Sequence, residues 1–240
     1  GPYRIVVLGD GTELSCHALL IATGVSVQKL EAPGVERLTG AGVYYGAALT
    51  EAAHYQSEPV YVVGGANSAG QGAMFFSRYA NQVTMLVRGT SLAKGMSQYL
   101  VDQIEATPNI NVLTRAVVQA VQGENRLETL TLARLDSDEV VTVPAAALFI
   151  FIGAVPHTEM VTGVVERNQA GFIITGPDLM NQGARPRNWS LQSDPFPLET
   201  SVPGIFAAGD VRHGAIRRVA SAVGQGANVV NLVHQYLRTV

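Results

Sequence analysis

The chain contains one cysteine in 240 residues, Cys16. A single thiol closes no intramolecular disulfide and forms no internal dithiol pair. That excludes a disulfide framework and fits a reducing, cytoplasmic compartment. Charge is also scarce: Asp, Glu, Lys and Arg make up 15 % of residues, against ~25 % in ordinary globular chains. The net charge is −3 and no basic stripe is present, which argues against a protein that coats nucleic acid. A surface so poor in charge implies cover by a cofactor, a second domain or an oligomer. No apolar run is long enough for a membrane. The richest, Val140 to Val155, is broken by Thr142 and Pro144 and falls short of the ~20 residues of a span. Gly1-Pro2-Tyr3-Arg4 does not open a secretion signal. The histidines His17, His54, His157, His213 and His234 show no ligand spacing, so no metal site is expected. There is no G-x-S-x-G nucleophile turn.

What the chain does have is apolar content (47 %) and glycine (25 residues). Its length suits one large domain or two ordinary ones, with a core that needs no disulfide. Tyr3 to Leu8 and Glu13 to Ala18 read as a hairpin around Gly9-Asp10-Gly11. Ala18 to Ala22, Pro59 to Val63, Gln82 to Val87, Ala147 to Ile152 and Gly204 to Ala208 are apolar runs of the kind found in strands buried on both faces. A helical pattern from Ser68 to Tyr79 links two of them into a β-α-β unit, which implies a parallel sheet. A short strand is expected at Gly171 to Thr175, and a structureless polar loop at Gly176 to Pro197 around the single Trp189. Helices are expected from Ser97 to Glu105 and from Val219 to Leu237. One feature recurs: an apolar strand followed by a small-residue turn, at Thr23-Gly24, Gly64-Gly65, Gly153-Ala154 and Gly209-Asp210.

Three motifs carry chemistry. In Gly64-Gly65-Ala66-Asn67-Ser68-Ala69-Gly70 a strand ends, glycine turns the chain and a helix begins. Such a helix start presents unpaired N–H groups and a positive dipole end to a pyrophosphate. Set against G-x-G-x-x-G/A, the pattern is Gly64-x-Ala66-x-x-Ala69, with alanine where the middle glycine usually lets the backbone approach phosphate. A tight turn that binds nothing would read the same way. Next, an NAD-type site carries an acid ~20 residues further on; here the second strand ends in Arg88, with Lys94 nearby. Cations there suit the 2′-phosphate of NADP, although a solvated surface arginine is the plain alternative. Last, the strand Gly204 to Ala208 delivers Asp210 to a turn after Gly209. That carboxylate can accept from a ribose or ribityl hydroxyl, or simply cap a helix. Tyr44-Tyr45 could stack on a flavin or nicotinamide, but packing is the favoured reading.

The segment Thr200-Ser201-Val202-Pro203-Gly204-Ile205-Phe206-Ala207-Ala208-Gly209-Asp210 resembles the signature of flavoprotein disulfide reductases. With Ala22-Thr23-Gly24, the Gly64 to Gly70 turn and Arg217-Arg218-Val219-Ala220-Ser221-Ala222, the whole chain resembles low-molecular-weight thioredoxin reductases. It is most similar to a bacterial branch in which this module follows a regulatory domain. The resemblance implies two Rossmann-like three-layer α/β domains: an FAD domain formed by 1–33 and 154–240, and an NADPH domain inserted at 34–153. It implies FAD and NADPH as cofactors, with Asp210 at the ribityl chain and the helix start at Arg218-Val219 at the flavin ring. Gly64, Gly65, Ala66, Asn67, Ser68, Ala69, Arg88 and Lys94 would face NADPH. Thr23, Gly24, Gly153, Gly209 and Arg217 join them as cofactor-contacting positions.

The chain departs from the family in two further ways. The N-terminal G-x-G-x-x-G for the ADP half of FAD is absent, so the chain is expected to begin partway through that domain. The C-x-x-C redox centre is also absent: Gly46 and Leu49 occupy its cysteine positions, and Cys16 in the hairpin cannot substitute. The implied activity is NADPH-to-flavin hydride transfer with an unknown electron acceptor, in a homodimer. Two alternatives are an electron-transfer partner of ferredoxin-NADP reductase type, docking through Arg185, Arg187, Arg212, Arg217 and Arg218, and a redox-dead nucleotide-binding sensor.

Overall fold

The computed structural model describes residues 3–46, 54–187 and 189–239. The chain divides into two compact units, Val27–Gly153 and a second formed by Gly1–Ser26 with Ala154–Val240.

The middle unit is built on five parallel strands in the order β5-β12-β6-β7-β8. These are β5 (Val43–Tyr45), β6 (Pro59–Val63), β7 (Gln82–Val87), β8 (Ile110–Thr114) and β12 (Ala147–Ile150). Their continuous apolar sequences follow from burial on both faces. Val60 and Val62 of β6 face a cluster with Phe76, Met85, Leu100 and Ile104, while Tyr61 and Val63 face one with Val118, Leu130 and Leu148. The first face is covered by α2 (Asn67–Phe76) and α3 (Gln98–Glu105). The second is covered by an antiparallel sheet of β9 (Ala116–Gln122), β10 (Thr129–Arg134) and β11 (Val140–Pro144). The result is three layers, helix on sheet on sheet. Small residues draw α2 inward: a Cβ at Gly70 would lie 2.7 Å from Met96 Cε, and one at Gly72 would lie 2.9 Å from the Phe151 ring.

The first domain boundary is expected from sequence between residues 33 and 34, but Glu31 to Gly34 lies inside the middle unit, which starts at Val27. Val121 N–H donates to Pro33 O at 2.9 Å, and Gly34 (φ +88°) sits so close to the Val121 carbonyl that no Cβ fits. With α1 (Val35–Leu38), this segment is part of the packing on β9. The strands at the two crossings, β4 (Val25–Val27) and β13 (Ala154–Pro156), pair with each other.

In the other unit, β1 (Arg4–Val7) and β2 (Glu13–Cys16) form the expected hairpin, with Arg4 opposite Cys16. β3 (Leu19–Ile21) and β14 (Ile205–Ala207) run parallel, with Leu19 opposite Ile205. Ile21, Val161, Ile173 and Val211 pack on one side of this pair. On the other side Phe206 meets Val229, Leu232 and Tyr236 of α4 (Val219–Tyr236). Gly171 to Thr175 forms no strand; Ile173 makes only single-residue bridges, to Arg167 and Arg212. The loop expected to be structureless opens with a 3-10 turn, Gly176–Leu179. It is closed by an Arg185–Asp194 ion pair at 2.7 Å and by Trp189 Nε1 donating to Ser193 O at 2.8 Å. Among the described residues no helix is long and apolar enough to cross a membrane.

Candidate functional site

The four strand-end turns gather in pairs at the C-terminal ends of parallel strands, where open α/β sheets bind ligands. In the middle unit, β6 ends at Gly64 and β12 leads to Gly153. In the other unit, Thr23-Gly24 follows β3 and Gly209-Asp210 follows β14, side by side: Ala208 N–H donates to Ile21 O at 3.0 Å.

The turn after β6 owes its shape to close approach. Gly64 has φ +138°, and a Cβ there would lie 2.5 Å from the Phe151 carbonyl; a Cβ at Gly65 would press on Val87 at 2.9 Å. Ala69 is fully buried beneath Gly64, so the third position of the motif is small because helix and strand touch there. Ala66 is extended, with φ −105°, so its backbone needs no glycine. The first helical hydrogen bond is Gly70 N–H to Ala66 O at 3.1 Å. The N–H groups of Asn67, Ser68 and Ala69 therefore have no acceptor within the helix. No acid lies in the first turn of α2, and Ala66, Asn67 and Ser68 are exposed. Arg88 leaves β7 next to Val87, which touches Gly65; Gly95, next to Lys94, packs against the Gly65 carbonyl. Arg88 and Lys94 are exposed, and neither makes an ion pair or side-chain hydrogen bond among the described residues. An open helix start and two uncommitted cations thus meet at one end of the sheet, a donor set that fits a phosphorylated dinucleotide.

The turn after β14 backs onto α4. Gly209 (φ +78°) donates its N–H to Gln225 Oε1 at 2.8 Å, and Asp210 sits half-buried in the 3-10 turn Gly209–Val211. The Asp210 carboxylate has no side-chain partner among the described residues. α4 begins after Arg218, its first turn carries no acid, and Val219 is 83 % exposed. These groups fit the ribityl and ring portions of a flavin: an acceptor for hydroxyls and an open helix start. Thr23 is used differently, its hydroxyl donating to His157 O at 2.6 Å. His157 N–H in turn donates to Gly24 O at 3.1 Å, and its Nε2 lies 2.9 Å from Ser26 Oγ. Arg217 lies over the Phe172 ring at 4.9 Å. Sequence reasoning missed Gln225 as the acceptor for Gly209 N–H, Ser26 as the partner of His157, and Ser97, whose N–H donates to Asn67 Oδ1 at 2.8 Å, because the contacts join residues far apart in the chain.

Gly46 ends β5 with φ +92°, its N–H donating to Ile150 O at 3.2 Å. Leu49 lies outside the described residues. Cys16 is half-buried on β2, with Sγ 3.6 Å from Arg4 O. Tyr44 stacks on Phe149 at 5.3 Å and its hydroxyl meets that of Tyr55 at 2.9 Å; Tyr45 OH accepts from Leu30 N–H at 3.0 Å. Among the described residues no cluster of His, Cys, Asp or Glu could hold a metal.

Residues 3–226 match the family model of the pyridine nucleotide-disulphide oxidoreductases. The chain belongs to this family. It is 31 % identical to thioredoxin reductase from Schizosaccharomyces pombe, over 93 % of this chain and 64 % of that one. It is 29 % identical to a 34.2 kDa protein of a rubredoxin operon in Clostridium pasteurianum, over 92 % of this chain and 64 % of that one. The chain thus spans about two thirds of the length of these relatives. The crystal structure of thioredoxin reductase from Streptococcus pyogenes superposes with a TM-score of 0.73 at 28 % identity, covering 100 % of this chain and 71 % of that one. The Lactococcus lactis thioredoxin reductase gives 0.72 at 26 % identity, covering 100 % and 72 %. The fold is the two-domain Rossmann-like fold of thioredoxin reductases, and a chain with one cysteine has no C-x-x-C pair to set in it.

Proposed function

We propose that the chain is the nucleotide-handling module of an FAD-dependent, NADPH-linked oxidoreductase of thioredoxin reductase type that lacks the dithiol centre. The observation that carries this reading is the open start of α2 beside the exposed, uncommitted cations Arg88 and Lys94. In this reading the N–H groups of Asn67, Ser68 and Ala69 hold the pyrophosphate, and Arg88 with Lys94 holds the 2′-phosphate. Charge-assisted hydrogen bonds of that kind are worth about 1.5–3 kcal/mol, roughly ten- to hundredfold in affinity. Gly64-Gly65 lets helix and strand approach closely enough to aim those donors. In the other unit Asp210 accepts from the ribityl chain, and the α4 start at Arg218-Val219 presents partial positive charge to the flavin ring. When bound, the nicotinamide and flavin nucleotides would supply hydride transfer. Electrons then leave by an acceptor other than a protein dithiol.

Arginine docking of a ferredoxin-like carrier draws less support. Arg185 is paired with Asp194, Arg212 Nε donates to Thr175 Oγ1 at 2.8 Å, and Arg217 sits on Phe172. The test is anaerobic addition of NADPH to FAD-loaded protein. Bleaching of the flavin absorbance is expected. Two bound nucleotides with no bleaching would favour the redox-dead sensor.

A further inference from the structure

The turn that follows β7 is fastened to the start of α2 at three points. Met96 is buried against Gly70, where a Cβ would lie 2.7 Å from the methionine Cε. Gly95 rests on the Gly65 carbonyl, leaving a Cβ only 3.2 Å. Asn67, the first residue of α2, accepts at Oδ1 from both the Ser97 N–H, at 2.8 Å, and the Ser97 hydroxyl, at 3.1 Å. Leu92 is buried on the other side of Lys94. Lys94 is therefore held in a segment anchored before and after it. Asn67 is exposed, so its carboxamide oxygen could bond to water instead; it reaches 30 residues along the chain to Ser97. Ser97 opens α3 without a side-chain cap, and the bond to Asn67 ties that opening to the glycine turn.

We propose that Asn67 is a positioning residue for Lys94. By holding Ser97, it keeps the turn where Lys94 adds a second positive charge to the phosphate met by Arg88. A cation on an untethered turn would lose most of that interaction to conformational freedom. The inference rests on the NADPH reading and assigns the Asn67 side chain an indirect part in it.

The experiment is calorimetric titration with 2′,5′-ADP and 5′-AMP, which differ only in the 2′-phosphate. Their affinity ratio is measured in the unsubstituted protein, Lys94→Ala, Asn67→Ala and the double variant. The unsubstituted protein should prefer 2′,5′-ADP. Lys94→Ala should lower the ratio about tenfold or less. Asn67→Ala should lower it by a similar or smaller factor. In the Asn67→Ala background, Lys94→Ala should have a smaller effect than in the unsubstituted protein, and the double variant should lose no more than Lys94→Ala alone, because Asn67 acts through Lys94. An unchanged ratio in Asn67→Ala, or effects that multiply, overturns the positioning role while leaving the NADPH reading intact. Equal affinity for both ligands in the unsubstituted protein overturns both. If Asn67→Ala does not fold, Ser97→Ala, which deletes one of the two bonds, carries the same comparison with a smaller expected loss.

Discussion

A Cβ on Gly204 would lie 2.6 Å from both Cζ and the hydroxyl oxygen of Tyr236. Gly204 opens the turn into β14 with φ +78°, and Tyr236 is the last, fully buried residue of α4. The contact locks the C-terminal helix onto the strand that delivers Asp210. Gly204→Ala combines left-handed strain of about 1 kcal/mol with overpacking of about 1–3 kcal/mol. Melting should fall by roughly 4–15 °C for a chain of this size. Gly224→Ala, in the same helix with open space around it, should raise stability by about 0.5–1 kcal/mol. Thermal denaturation of the two variants checks this; a Gly204→Ala protein as stable as the unsubstituted one would contradict the packing.

Glu199 is buried, with its carboxylate accepting from Gly204 N–H at 2.8 Å and Phe196 N–H at 3.0 Å. Burial raises its pKa above the ordinary 4.5, opposed by those two N–H bonds and by Arg4. The folded state therefore binds its proton more tightly than the unfolded chain. Glu199 contributes stability that is fully present below about 4.5 and is lost as pH rises through the folded pKa. Melting temperature followed upward from pH 4 should show this decline, and Glu199→Gln should flatten it. Glu199→Ala leaves both N–H groups without an acceptor, at about 1–3 kcal/mol each. A pH profile unchanged in Glu199→Gln would show that another group titrates.

Disulfide reduction should be absent or negligible. It requires a thiolate to attack a disulfide and a second thiol to resolve the mixed disulfide, and the chain has only Cys16. Gly46, which the resemblance to thioredoxin reductases sets at one of the redox positions, has a backbone (φ +92°) that a cysteine would adopt only under strain. NADPH-dependent reduction of a disulfide dye is the assay. Robust turnover that survives Cys16→Ser would overturn the assignment of Gly46 and Leu49 to the redox positions.

The parallel sheet was legible because β6 and β12 are apolar at every position, as two-sided burial demands. The placement of the glycine turn between β6 and α2, and of Arg88 directly after β7, was legible because strand, turn and helix are contiguous in sequence. The unit boundary was not. Pro33-Gly34 looks like punctuation, but a hydrogen bond and close packing against Val121, far along the chain, fix it inside the middle unit. Gly171 to Thr175 has strand composition, yet only Ile173 forms bridges. The partners of the site turns, Ser97 for Asn67 and Gln225 for Gly209, were hidden for the same reason. Each contact exists only once the chain has folded back on itself.

Titration of the protein with NADPH and NADH tests most directly whether the cation that follows β7, Arg88, selects the 2′-phosphate. The exposed Arg88 beside the α2 start predicts NADPH binding tighter than NADH by about ten- to hundredfold. The preference should weaken as salt is raised and should fall sharply in Arg88→Ala, with only the part owed to Lys94 remaining. Equal binding of the two nucleotides by the unsubstituted protein would contradict it.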